Sequence, residues 1–239
     1  MRLSMFENST MVTTLLSTLL LGSYFFLVFT KTNYDQLECK KYARHRLVKP
    51  GNKVEGVFFV PDDPVKKILL GLIYSEQWSI KAALYQLTDP DLFDALVDAH
   101  RRGVKIEIIT DKSCLASKHE KITELRRYDI PVYVYGEKFY SIMHNKFWVF
   151  GKNLCNKRII WSGSANATMS GTTRNEENVL VDDRLDMVKL YDEKFDRLKK
   201  KIAPLVKPTG RSVSRSCQSS YLRYLYDMRS LLRPSWIFK

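Results

Sequence analysis

His144 and Lys146 stand two apart in SIMHNKFWVFGKN, residues 141–153, a run that is otherwise apolar and aromatic. Side chains two apart on a strand share a face. The pair is therefore expected on one side of a strand over Ile142–Phe150, with Asn145 and Phe147 on the other. Lysine is seldom buried without a partner, so this is either an exposed edge with incidental charges or a pair aimed at an anion. Further on, WSGSANAT sets Ser164 and Asn166 two apart after Gly163, and RNEENVLV places Glu177 just before an apolar strand. Histidine acts as nucleophile, acid or base near neutral pH. Lysine and asparagine donate to phosphate oxygens, and a carboxylate orients a histidine ring. Together these are the parts of a phosphodiester site that needs no metal ion.

The elements that must hold these residues alternate in type. VEGVFFVP (Val54–Pro61), SIKAALYQLT (Ser79–Thr88), VKIEIITD (Val104–Asp111), IPVYVYG (Ile130–Gly136), KRIIWSG and NVLVDD read as strands. VKKILLGLIYSE (Val65–Glu76), DPDLFDALVDAHRRG, HEKITELRRYD and RLDMVKLYDEKFDRLKKKI have helical spacing. DPDLFDALVDAHRRG has an acidic start, an early proline and a closing Arg-Arg-Gly. The order predicts an α/β sandwich with a mixed sheet flanked by helices. Domain organisation reads as an anchor over 1–30, a basic linker over 31–53, a catalytic domain over 54–203 and a basic aromatic tail over 204–239.

The chain has 239 residues, 45% of them hydrophobic, and a formal net charge of +13. That suits a globular domain with a real core and a polyanionic partner, either nucleic acid or an anionic membrane surface. Cys39, Cys114, Cys155 and Cys217 are scattered, with no C-x-x-C pair to suggest zinc. Residues 11–30 carry no charge and are long enough to cross a bilayer as a helix. An uncleaved anchor is the preferred reading over a leader peptide, which would carry a basic start. The lysines and arginines that follow would keep the domain on the cytosolic side.

H-N-K at 144–146, G-S-A-N at 163–166 and N-E-E-N at 175–178 resemble, in order and context, the phospholipase D superfamily. That family's pattern is H-x-K-x4-D, a G-S-x-N turn and a downstream Glu-Asn. ALVDAHRRGVKIEIITD also resembles the helix and strand that precede the pattern. The similar short members are bacterial Nuc-type endonucleases and mitochondrial Zucchini-type proteins, whose zinc-binding insert has no counterpart here. The resemblance implies a phospholipase D-like sandwich and no cofactor. His144 would be the nucleophile and Glu177 its orienting group, with Lys146, Asn166 and Ser164 holding the phosphate. A single H-x-K motif implies a symmetric homodimer in which two His144 side chains meet on the axis. One departure is plain: Gly151 stands where the pattern has its supporting aspartate.

Three functions follow as expectations. The first is an endonuclease on DNA or RNA, with Tyr133, Tyr135 and Tyr140 as base stackers if they are not core. The second is a phospholipase D acting on a phospholipid such as cardiolipin. The third is an inactive membrane-anchored nucleic-acid-binding protein, for which Gly151 is the only support. The membrane would be the mitochondrial outer or the bacterial inner one.

Overall fold

Alternate residues of the apolar strands part to opposite sides of a single sheet. The computed structural model describes residues 22–23, 33–136 and 141–202. Among these the chain runs through α1 (33–47), β1 (Val48–Lys49), β2 (Lys53–Val60), α2 (Val65–Ser75), β3 (Ser79–Leu84) and α3 (Pro90–Arg101). It continues through β4 (Lys105–Asp111), β5 (Val132–Tyr135), β6 (Lys146–Phe150), β7 (Ile159–Gly163), α4 (Met169–Thr173), β8 (Glu177–Asp182) and α5 (Leu185–Lys201). β6 sends Trp148 and Phe150 into the larger of two cores and Phe147 and Val149 into the smaller. β4 divides Ile106 and Ile108 from Ile109, and β5 divides Val132 and Val134 from Tyr133 and Tyr135, by the same period of two. With both faces covered, these strands read as nearly continuous apolar runs.

Among the described residues the sheet has eight strands in the order β1-β2-β8-β7-β6-β3-β4-β5. β3, β4 and β5 are parallel neighbours, and the other pairings are antiparallel. This is the mixed sheet that the alternation of elements predicts. Residues of α1, α2 and α3 fill the larger core, while Val188, Phe195 and Leu198 of α5 fill the smaller. Asp89 caps α3 by accepting from the Asp91 N–H at 2.9 Å. Lys66 Nζ then bridges Asp89 at 2.9 Å and Asp91 at 2.6 Å, tying α2 to that cap.

Several expectations need correction. Residues 31–53 are not a linker: 33–47 form α1, whose Ala43 and Leu47 are fully buried, and Lys53 already opens β2. The run of lysines and arginines in this stretch masks an apolar stripe at four-residue spacing (Cys39, Ala43, Leu47). β3 stops at Leu84 instead of Thr88, and HEKITELRRYD contributes only a 3-10 turn over Thr123–Tyr128. β6 starts at Lys146, so His144 lies just outside the strand, and the shared-face argument does not hold for it. Lys146 also shares its face with the core residues Trp148 and Phe150. The expected anchor (save Gly22 and Ser23), Tyr140, Cys217 and the tail from 204 lie outside the described residues. Among those described, no helix is long and apolar enough to cross a membrane.

Leu47→Ala tests the reassignment of the basic stretch. A leucine whose side chain is fully buried costs about 2–5 kcal/mol on truncation, whereas a linker residue costs less than about 0.5 kcal/mol. Denaturant unfolding of the variant is expected to show the larger loss.

Candidate active site

The three motifs converge because β6, β7 and β8 are adjacent antiparallel strands. Phe147 pairs with Ser162, and Gly163 pairs with Val179. Carried one step further, these registers put Lys146 level with Gly163 and Ser164 level with Asn178. On the other side of β6, Leu84 pairs with Lys146, and the Tyr85 N–H donates to Asn145 O at 3.1 Å. Residues 85, 144–146, 163–166 and 177–178 therefore gather at one edge of the sheet, the edge at which the parallel strands end. Ligands bind beyond that edge in open α/β sheets.

Lys146 is only 7% exposed, while His144 beside it is exposed. Lys146 Nζ lies 2.9 Å from His144 Nδ1 and 3.1 Å from Nε2, and it donates to His144 O at 2.9 Å. The ammonium thus caps the edge of the imidazole and bonds whichever ring nitrogen is unprotonated. The Tyr85 ring lies beneath both groups. Its centroid is 4.4 Å from that of His144, at 60°, and 5.2 Å from Lys146 Nζ. Among the described residues no carboxylate stands within ion-pair distance of Lys146. Burial pushes its pKa below the ordinary lysine value, with the nearby Glu177 carboxylate pulling the other way.

The G-S-A-N turn is fixed by backbone contact. A side chain at position 163 would place its Cβ 2.0 Å from Asn178 O, so glycine is required for β7 to approach β8 here. Ser164 N donates to Asn178 O at 3.0 Å, and Ser164 Oγ accepts from Asn178 N at 3.0 Å. The serine's first task is therefore to pin the turn, although its hydroxyl proton is still available to a ligand. Ala167 N donates to Gln86 O at 3.2 Å and Thr88 N to Ala167 O at 3.1 Å, lacing the turn to the loop after β3. Asn166 Oδ1 is buried without a partner. A rotation of that amide presents Nδ2 in its place, which supplies a donor for a phosphate oxygen. Glu177 Oε1 accepts from Asn175 Nδ2 at 3.3 Å. No hydrogen bond joins Glu177 to His144 among the described residues, so the carboxylate acts here on the charge of Lys146.

Sequence reasoning missed Tyr85 and Asp111. Asp111 Oδ2 accepts from the buried Met143 N–H at 2.6 Å, while Oδ1 accepts from Ser113 N and Oγ at 2.9 and 2.7 Å. This carboxylate holds the segment that carries His144, which no strand ladder holds. Its place as the last residue of the β4 run VKIEIITD was the available signal. Tyr85 offered none, since an aromatic residue at a strand end usually packs in a core. Among the described residues no three His, Cys, Asp or Glu side chains converge to hold a metal ion.

The lowered pKa of Lys146 has two consequences of opposite sign. The folded protein binds this proton less tightly than the unfolded chain, so the residue's contribution to stability improves as pH rises towards 10.5. Affinity for an anion falls over the same window, because the ammonium is lost below the ordinary lysine value. Inorganic phosphate titrations at increasing pH are expected to show that loss, and Lys146→Arg should move it upward.

Comparison with known proteins adds the family. Residues 69–199 match the family described as "Cardiolipin synthase, PLD-like domain". The mitochondrial cardiolipin hydrolase of Xenopus tropicalis is 31% identical over 137 residues, which are 57% of this chain and 61% of that protein. A phospholipase D of Rickettsia bellii is 34% identical over 133 residues, 56% of this chain and 63% of that protein. The matched region thus spans about three-fifths of the length of these curated relatives. Among solved structures, the phospholipase D family member Nuc of Salmonella typhimurium aligns with a TM-score of 0.56 at 23% identity. That alignment covers 65% of this chain and 99% of Nuc, a likeness that shows the fold. On the family match, the chain belongs to the phospholipase D superfamily.

Proposed function

We propose that this protein is a metal-independent phosphodiesterase, an endonuclease on DNA or RNA, that works through a phosphohistidine intermediate. The observation that carries the reading is Lys146, an ammonium held 7% exposed against a histidine, with no carboxylate in ion-pair contact among the described residues. An arriving phosphodiester offers this ammonium charged acceptors stronger than an imidazole nitrogen. As Lys146 turns to the phosphate oxygens, it releases a ring nitrogen of His144 for attack. The new N–P bond forms as the P–O bond to the leaving group breaks. His144 of a second copy gives its proton to the departing oxygen. Water then attacks phosphorus, the N–P bond breaks, and the second histidine takes the water's proton. Asn166 and the Ser164 hydroxyl complete the phosphate cradle, and Glu177 supports the positive charge of the site.

This scheme rests on a homodimer with the site at the two-fold axis, which the exposure of His144 at the sheet edge permits. Charge supports a nucleic-acid substrate, although an anionic headgroup would attract the same lysines. Lys112, Lys118 and Arg174 are exposed on segments that leave the same edge, in a chain of net charge +13. Tyr133 and Tyr135 are both only 8% exposed and belong to the smaller core, so they offer no face to a base. A second reading, hydrolysis of a membrane phospholipid, draws on Ile142, 58% exposed two residues before His144. The apolar stretch 11–30, read as an anchor that leaves the domain facing the cytosol, and the names of the curated relatives also favour it.

The test is the full-length protein in detergent, incubated in EDTA with a labelled oligonucleotide and with cardiolipin vesicles. Oligonucleotide cleavage is expected, with His144→Asn and Lys146→Ala each losing about a hundred-fold or more. His119→Ala should retain activity, since the proton donor is the second His144. Loss of wild-type activity in EDTA, or full activity in His144→Asn, contradicts the mechanism. Cleavage of vesicle lipid alone transfers the assignment to the second reading.

A further inference from the structure

Gly151 leaves the end of β6 without the aspartate of the family pattern, yet a carboxylate is present there, contributed by another element. Glu76, the residue that follows α2, is 2% exposed. Its Oε1 accepts from the N–H groups of Trp78, Ser79 and Lys152 at 2.9, 3.0 and 2.8 Å. Its Oε2 accepts from Asn153 Nδ2 at 2.9 Å, and the same amide donates to Leu72 O at 2.9 Å. One side chain therefore joins the end of α2, the start of β3 and the turn after β6. Buried carboxylates persist when hydrogen-bond donors surround them, and here they do.

The space at position 151 faces the same donors. A Cβ there would lie 3.3 Å from Ser79 N, 3.0 Å from Trp78 Cδ1 and 2.3 Å from Ser79 Oγ. The last contact is relieved by rotating the serine side chain. An aspartate at 151 and a glutamate at 76 would thus reach for one set of N–H groups, and two carboxylates there would repel.

We propose that Glu76 is a positioning residue that performs, from the end of α2, the structural duty the family pattern assigns to an aspartate at 151. It acts on the site through the β3–β6 register. Near Glu76 this pairing is closed by Gly151 N donating to Ser79 O at 2.8 Å and Gln77 N donating to Lys152 O at 3.0 Å. At its far end the same pairing sets Lys146 opposite Leu84 and Asn145 beside Tyr85. Strand register is specified as a unit, and a slip displaces every side chain along it. Releasing the clamp therefore loosens the placement of Lys146 over Tyr85 and His144. The catalytic part of this inference rests on the proposed phosphodiesterase site, while the structural part stands apart from it.

The test is a cycle of four full-length proteins: wild type, Glu76→Ala, Gly151→Asp and the double variant, each measured for Tm, kcat and KM. Glu76→Ala is expected to lower Tm by on the order of 5 °C. It should reduce kcat about ten-fold or more with KM nearly unchanged, because phosphate still meets the same donors while their alignment is lost. Gly151→Asp alone should also lower Tm. The double variant should recover more than half of both losses, a coupling that unrelated substitutions do not produce. Additive losses in the double variant, or an unchanged kcat in Glu76→Ala, overturn the proposal. If the wild type cleaves neither substrate, recovery of Tm in the double variant still upholds the relocated carboxylate, and only the site reading fails.

Discussion

A lysine ammonium withdrawn from water, with no carboxylate in ion-pair contact among the described residues, is the constraint on which the rest of this structure depends. Taking an isolated charge out of solvent costs several kcal/mol. Lys146 meets that cost with a carbonyl, an imidazole edge and an aromatic face in direct contact, and with the Glu177 carboxylate acting from beyond ion-pair distance. The arrangement persists because Lys146 opens a strand that two cores grip. Trp148 and Phe150 are locked on one side, and Phe147 and Val149 on the other. Beside it, Asn166 Oδ1 is buried without a partner and the Ser164 hydroxyl proton is free to turn towards a ligand.

Sheet topology turns distant motifs into neighbours. β6, β7 and β8 follow one another as antiparallel strands, so residues at 146, 163 and 177 fall on a common edge without any special loop. The parallel pairing of β3 with β4 brings Tyr85 and Asp111 to that same edge. Tertiary contacts then finish what the ladders leave open. Asp111 holds the segment before His144, and Asn178 pins the turn that bears Asn166. Exposed basic side chains and the exposed apolar Ile142 both border this edge.

Much of this was legible in the residues alone, for definite reasons. Short apolar, β-rich runs identified the core strands, cap and charge signals identified α3, and motif order pointed to the candidate site. Helix α1 was hidden because exposed lysines and arginines dominate its composition, while it buries only Ala43 and Leu47 fully, with Cys39 and Tyr42 partly buried beside them. The placement of His144 was misread because the strand pattern runs smoothly through residues whose hydrogen bonds go instead to Asp111 and Tyr85. Gly151 was visible as a departure. Its counterpart Glu76 was not, because a helix-end glutamate looks like any exposed acid until the chain folds four donors around it.

The central claim is that phosphorus passes through a bond to His144, and stereochemistry at phosphorus tests it most directly. Hydrolysis of an isotopically chiral phosphorothioate diester in heavy-oxygen water passes through two in-line displacements if a histidine intermediate forms, and through one if water attacks the diester itself. The account predicts overall retention of configuration, with no product from His144→Asn. Inversion would show a single displacement and contradict it.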